Sequence, residues 1–272
     1  MSGGGFHAIV GLPPRGSANH AEAVTVPSRA LLIDAGWRVA VLGGGVAAAG
    51  LLLMPLAGFG WRAPAGALVG YAVIAALVLF GLAGHAPHRR FGLANAVTLI
   101  RAAGMALLIG ILAEGVALAP AARWLMAIGG TAALLLDGVD GWAARKTGLS
   151  SSFGARFDME IDALFVLVLA ALVWRAGQAG GWVLTAGLMR YIFVLAGWLW
   201  PALAAPLPPS FRRKAICVIE IAVLLAALTP LLGPEAAACL CLAGLALLGY
   251  SFLADVVVLA AAARRRAPAV TT

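Results

Sequence analysis

Residues 137–162 read D-G-V-D-G-W-A-A-R-K-T-G-L-S-S-S-F-G-A-R-F-D-M-E-I-D. Five of the chain's 11 acidic residues fall in these 26 positions: Asp137, Asp140, Asp158, Glu160 and Asp162. Apolar sequence flanks the stretch on both sides. A carboxylate beside hydrocarbon is expensive, and the few that a membrane protein keeps there generally do chemistry or transport.

The rest of the chain identifies the surroundings. Of its 272 residues, 63% are hydrophobic and only 11% charged, and the mean hydropathy is +1.00. Soluble domains average about 25% charged residues. A hydrocarbon core of about 30 Å needs about 20 mostly apolar residues per helix. Apolar runs of that order lie at 37–56, 65–84, 95–113, 121–143, 159–175, 181–203, 214–232 and 236–262. The composition therefore predicts an all-α, multi-pass integral membrane protein with eight spans. Gly43-Gly44-Gly45 inside the first run points to close helix packing rather than a break. Residues 1–36 have no apolar signal-peptide core. They read as a short N-terminal segment with a brief interfacial helix around Ala21–Ala35.

Charge sets the expected orientation. With eight spans both termini share a side, and that side collects 14 of the 19 Lys and Arg. The other side has three, Arg62, Arg123 and Arg175, while Arg101 and Arg190 fall inside spans. The bias predicts cytoplasmic termini and a cytoplasmic position for residues 137–162. The net charge of +8 is spread over loops that flank the membrane and forms no basic patch with interleaved aromatics, so nucleic acid is excluded as a partner. Cys217, Cys239 and Cys241 lie in predicted spans without a CxxC spacing and imply neither a disulfide framework nor a zinc site. Trp37, Trp61, Trp174, Trp182 and Trp200 stand near span ends, where an aromatic belt belongs.

Spacing then assigns chemistry to the acidic stretch. Asp137 and Asp140 are three residues apart, and Asp158 and Asp162 four, so each pair shares a helix face. Gly148 and the three serines at 150–152 break the helical pattern and turn the chain back, making the two helices antiparallel neighbours. Four carboxylates can then converge. Divalent cations would relieve their repulsion, and oxygen ligands with no His or Cys nearby suit Mg²⁺, Mn²⁺ or Ca²⁺ better than Zn²⁺. A two-metal site fits displacement at phosphorus. Gly141, Ala144 and Gly154 leave room beside the same faces, for a ligand or for tight helix packing. Arg145 adds a planar donor suited to phosphate.

The full pattern is D-x2-D-G-x2-A-R-x8-G-x3-D-x3-D, filled by Asp137, Asp140, Gly141, Ala144, Arg145, Gly154, Asp158 and Asp162. It resembles, at all eight positions, the signature of the CDP-alcohol phosphotransferase family. Asn95, Thr98 and Arg101 also look like the N-x-x-T-x-x-R opening of that family's first core helix. The resemblance covers 91–266. It implies a six-helix core there, preceded by an N-terminal segment (1–36) and two additional membrane helices (37–90) and followed by a tail (267–272).

Family membership implies a phospholipid-biosynthetic enzyme that transfers a phosphatidyl group from CDP-diacylglycerol to an alcohol and releases CMP. Asp137, Asp140, Asp158 and Asp162 would hold two Mg²⁺, with Mn²⁺ as a substitute, and Asp162 would be the general base. Asn95, Thr98, Asp137, Gly141, Ala144, Arg145 and Gly154 would surround the cytidine diphosphate. A CDP-linked lipid donor, membrane lipid and a homodimer partner are expected.

The acceptor is the least marked feature. Arg190, mid-span, needs an anionic partner: Glu220 or an acceptor phosphate. Arg190 and the run Arg212-Arg213-Lys214 loosely resemble members that use glycerol 3-phosphate, which carry an arginine in the fourth core helix and G-K-x-x-T-x-x-Q in the fifth. Lys214 matches, while Arg213, Cys217 and Glu220 stand at the Gly, Thr and Gln positions. A phosphorylated polyol, glycerol 3-phosphate or inositol phosphate, is the favoured acceptor, bound through Arg190, Arg212, Arg213 and Lys214. Serine, choline and ethanolamine are the other acceptors open to such an enzyme, and two alternative readings compete. A CDP-choline or CDP-ethanolamine enzyme would act on diacylglycerol. A carboxylate-based ion transporter would need the acids but has no use for Gly141, Arg145 and Gly154 at these offsets. His85 and His88 read as part of an interfacial loop before the core.

Overall fold

The computed structural model describes residues 27–85, 88–115, 118–147, 151–205, 207 and 210–266, with backbone alone for 138–147, 152, 265 and 266. Eight α-helices and no strands occur among the described residues: α1 (Arg29–Ala57), α2 (Arg62–Gly81), α3 (Leu93–Glu114), α4 (Pro120–Thr147), α5 (Ser152–Arg175), α6 (Leu184–Leu199), α7 (Phe211–Leu228) and α8 (Pro234–Arg266). Among the described residues five segments are long and apolar enough to cross a bilayer: Arg29–Ala57, Arg62–His85, Leu93–Glu114, Gly181–Leu199 and Pro234–Arg264. Many of their large apolar side chains face outward, Leu56 and Phe80 among them. Exposure of that kind is stable only against lipid or a partner. The remaining helices, α4, α5 and α7, carry the acidic stretch and the Arg212–Lys214 run.

α1 begins where Ser28 caps it, its Oγ accepting from the Leu31 N–H at 3.2 Å. Of the interfacial helix expected around Ala21–Ala35, residues 21–26 lie outside the described set, and from Arg29 onward the chain is α1. No strong breaker stands between Ser28 and the apolar run, and glycines 43–45 continue the helix. It stops at Gly58, whose φ of 68° is the left-handed cap that glycine adopts without strain.

The chain divides into two compact units, Met1–Ala117 with Ile128–Asp162, and Leu118–Ala127 with Ala163–Thr272. In the first unit, small residues let α1, α2 and α3 approach closely. A Cβ on Gly110 would overlap the Ala63 carbonyl, and one on Gly66 would lie 2.6 Å from Ala113 Cβ. Such seams are the usual means of packing helices in lipid. Glu114, the last residue of α3, reaches to the start of α2. Its Oε1 accepts from the Gly60 N–H and its Oε2 from the Ala63 N–H, both at 2.9 Å. A buried carboxylate from one helix thus satisfies orphan amides of another and meets the positive end of its dipole. The two N-terminal helices are thereby fastened to α3.

In the second unit Gly187 of α6 lies directly against the Leu167 backbone of α5. Arg123 caps the end of α7 by donating to the Leu228 and Thr229 carbonyls at 2.9 and 2.7 Å. A cation at a helix C-terminus is favourable for the same dipole reason.

Candidate active site

The site grows from the first turns of α3 and α5. α3 starts after Gly92, whose φ of 84° is open to glycine and strained for other residues. Asn95, one turn in, is buried and donates from Nδ2 to the Phe91 carbonyl at 2.6 Å. Its Oδ1 points at α5: a Cβ built on Gly154 would lie only 2.7 Å from it. The signature's glycine is therefore where the asparagine of α3 passes. Thr98, also buried, donates to the Ala94 carbonyl at 3.1 Å.

His85 stitches the segment before α3 to the start of α5. It is fully buried, against the loop reading of the sequence. Its Nε2 lies 2.9 Å from the Arg90 carbonyl, which can only accept, so Nε2 carries the proton and Nδ1 accepts from Ser151 Oγ at 2.7 Å. Ser151 Oγ in turn accepts from the Gly154 N–H at 3.0 Å.

One turn beyond Thr98, Arg101 decides the electrostatics. Its side chain is 2% exposed. Nη1 lies 2.8 Å from Asp137 Oδ1 and 2.8 Å from Asp158 Oδ1, and Nη2 lies 2.5 Å from Asp162 Oδ1. Three helices thus send one cation and three carboxylates to one point. Asp137 is nearly closed off, while the side chains of Asp158 and Asp162 are 38% and 25% exposed, so the cluster opens on the α5 side. Ligand oxygens of the three acids lie within 4.8 Å of one another. Among the described side chains, one guanidinium against three carboxylates leaves a formal charge of −2. That deficit, with an all-oxygen donor set, fits a hard divalent cation.

Of the residues singled out in the sequence, Asp137, Asp158 and Asp162 come together, and Asn95 and Gly154 meet. Asp140, Gly141, Ala144 and Arg145 continue α4 as helical backbone, but their side chains lie outside the described set. Among the acceptor candidates, Arg212 and Arg213 both reach Asp255 Oδ1, at 2.5 and 3.3 Å, and Arg212 lies over the Tyr250 ring. Lys214 is exposed, and Arg190 is half-buried on α6. The pairing of Arg190 with Glu220 does not form: both Glu220 oxygens are buried with no hydrogen-bond partner among the described residues, and Glu220 faces Gly244.

Arg101 and Asp255 were absent from the sequence-derived site. The signal for Arg101 was present, since an arginine amid a span requires acid and residues 137–162 hold most of what the middle of the chain offers.

A family model described as CDP-alcohol phosphatidyltransferase matches residues 91–263. The chain belongs to that family. Its members are transferases of phospholipid biosynthesis. They move a phosphatidyl group from a CDP-linked donor to an alcohol within the membrane and depend on divalent metal. With its five apolar helices, this makes the chain an integral membrane protein. No solved structure matches the chain.

Proposed function

We propose that this protein transfers the phosphatidyl group of CDP-diacylglycerol to an alcohol that itself carries a phosphate, such as glycerol 3-phosphate or inositol phosphate, and releases CMP. The observation that carries the reading is the cluster of Asp137, Asp158 and Asp162 around Arg101, a net-negative, oxygen-only centre within the family's signature.

In the proposed step the acceptor's hydroxyl oxygen forms a bond to the phosphorus bearing diacylglycerol. The bond from that phosphorus to the bridging oxygen breaks, and the oxygen leaves with CMP. The hydroxyl proton goes to the Asp162 carboxylate, the general base that the family signature implies, which is partly exposed on the open side of the cluster. Asp137, Asp140, Asp158 and Asp162 would hold two Mg²⁺, with Mn²⁺ able to substitute, and the ions would neutralise phosphate oxygens and the leaving group. Asn95, Thr98, Asp137, Gly141, Ala144, Arg145 and Gly154 would enclose the cytidine diphosphate. Arg101 acts as a positioning residue: it holds three carboxylates together that would otherwise separate.

Arg190, Arg212, Arg213 and Lys214 support the phosphorylated acceptor by charge. With Asp255 counted against Arg212, Arg213 and Lys214, that group keeps a formal charge of +2. The proposed layout is a core at 91–266 preceded by two extra spans, eight spans in all, working as a homodimer with both termini and the aspartates on the cytoplasmic side.

The test is CMP release by the purified full chain with Mg²⁺, using CDP-diacylglycerol and a panel of phosphorylated and unphosphorylated alcohols, beside CDP-choline with diacylglycerol. CMP should appear with a phosphorylated alcohol and disappear in Asp162→Asn. Release from CDP-choline instead would move the enzyme to the other donor class. Parent and Asp162→Asn giving the same null result with every pair would overturn the proposal.

A further inference from the structure

A second charged recess lies in the first unit, built largely from residues that precede the family's match at 91–263. It is an open cavity of about 760 Å³, lined by Asp34 and Arg38 of α1, by Arg89 and Arg90, and by Gly92 and Leu93 at the start of α3. None of the signature residues whose side chains are described, Asp137, Gly154, Asp158 and Asp162, lines it. The volume is that of a small-ligand site.

Its frame is fixed. Asp34 Oδ2 accepts from the Phe91 N–H at 2.9 Å, and Asp34 Oδ1 takes Arg38 Nε at 3.0 Å. The single acid is thus committed to the backbone and to one arginine. Arg89 and Arg90 are exposed, and neither forms an ion pair with a described residue. Three guanidiniums against one carboxylate leave a formal charge of +2. Planar guanidiniums converging on a cavity match the oxygens of a phosphate. On the same helix, Ile33 and Trp37 are exposed, 72% and 59%. An exposed apolar residue and a tryptophan beside arginines mark the bilayer's headgroup level.

We propose that this recess binds the phosphate of an acidic phospholipid headgroup, holding a resident lipid against the two helices that lie outside the family core. The recess recognises the phosphate through Arg89 and Arg90, with Arg38 fixed behind them, and the acyl chains lie along the apolar face of α1. The site does not depend on the chemistry proposed for the aspartates.

The experiment measures lipid binding to the detergent-purified full chain by native mass spectrometry and by the shift in thermal unfolding. The probes are phosphatidylglycerol, phosphatidylcholine and inorganic phosphate. Four proteins are compared: the parent, Arg89→Gln/Arg90→Gln, Arg264→Gln as a basic control in the second unit, and Asp162→Asn as a control for lipid held at the aspartates. The parent should prefer phosphatidylglycerol over phosphatidylcholine, and the double variant should bind it about tenfold more weakly or worse, the loss of one or two charge-assisted contacts. Arg264→Gln and Asp162→Asn should match the parent. Should the double variant fail to fold, Arg89→Gln and Arg90→Gln are read singly. Equal affinity in parent and arginine variants overturns the proposal. So does inorganic phosphate competing as effectively as the lipid, because the source is then a free anion, or loss of the bound lipid in Asp162→Asn.

Discussion

Replacing Arg101 with methionine should expose how much of the first unit depends on one cation. The substitution removes the guanidinium that contacts Asp137, Asp158 and Asp162 and leaves three carboxylates whose oxygens lie within 4.8 Å. At that distance and an effective dielectric of about 20, each like-charge pair costs about 3.5 kcal/mol. Three such pairs would cost about 10 kcal/mol. The chain would escape most of this by spreading the carboxylates or protonating one. Asp158 and Asp162 are also partly exposed, which screens them. The expected loss is therefore the lower part of the range for a broken buried pair, about 3 kcal/mol. For a chain of this size that lowers the unfolding midpoint by about 6–12 °C. The assay is thermal unfolding of detergent-purified protein in chelator, followed by titration with Mg²⁺. The ion should raise the midpoint of Arg101→Met more than that of the parent, because the variant's cluster has lost one positive charge. A companion change, Asp158→Asn in the Arg101→Met background, should recover part of the loss by removing two of the three repulsive pairs. A variant that melts within the error of the parent in chelator, with the same response to Mg²⁺, would refute the view that Arg101 holds the carboxylates together.

Three further outcomes follow from the packing. Gly154→Ala places a Cβ 2.7 Å from Asn95 Oδ1, so it should cost about 1–3 kcal/mol and lower CMP release about tenfold or more. Asn95→Ala added to it should restore stability, read by thermal unfolding, without restoring turnover. Glu114→Ala removes both acceptors from the Gly60 and Ala63 amides and should destabilise the chain by about 3 kcal/mol, with proteolysis appearing first between α1 and α2. Asp255→Asn weakens the pairing to Arg212 and Arg213, at a cost of about 2 kcal/mol. If those arginines meet the acceptor's phosphate, it should change the KM for the acceptor while leaving that for the CDP donor alone.

Local patterns account for much of this protein. The runs of apolar residues announce helices because hydrocarbon leaves the backbone no other partner than itself. The acids at 137, 140, 158 and 162 can be assigned to shared faces because the turn of a helix is a property of neighbouring residues. Of the four acids expected to converge, Asp137 of α4 meets Asp158 and Asp162 of α5, while the side chain of Asp140 lies outside the described set. The boundary of α1 shows the limit of composition: the apolar run begins near Trp37, while Ser28 starts the helix, since a cap is set by one hydrogen bond and not by hydropathy.

What no local pattern contained is the choice of distant partner. Arg101 lies 36 residues before Asp137 and 61 before Asp162, and only the packing of α3 against the signature helices brings them together. Glu114 follows an apolar run that ends at residue 113 and is the clamp on the start of α2. His85 looked like a loop residue and is buried between a carbonyl and Ser151. Arg190 and Glu220 were plausible partners by charge and do not form a pair. The sequence by itself determined the helices, the family signature and the acidic faces, because these depend on residues a few positions apart. The tertiary structure alone decided which cation balances those acids and which amides the buried carboxylates cap, because a partner is selected by the rotation and approach of whole helices.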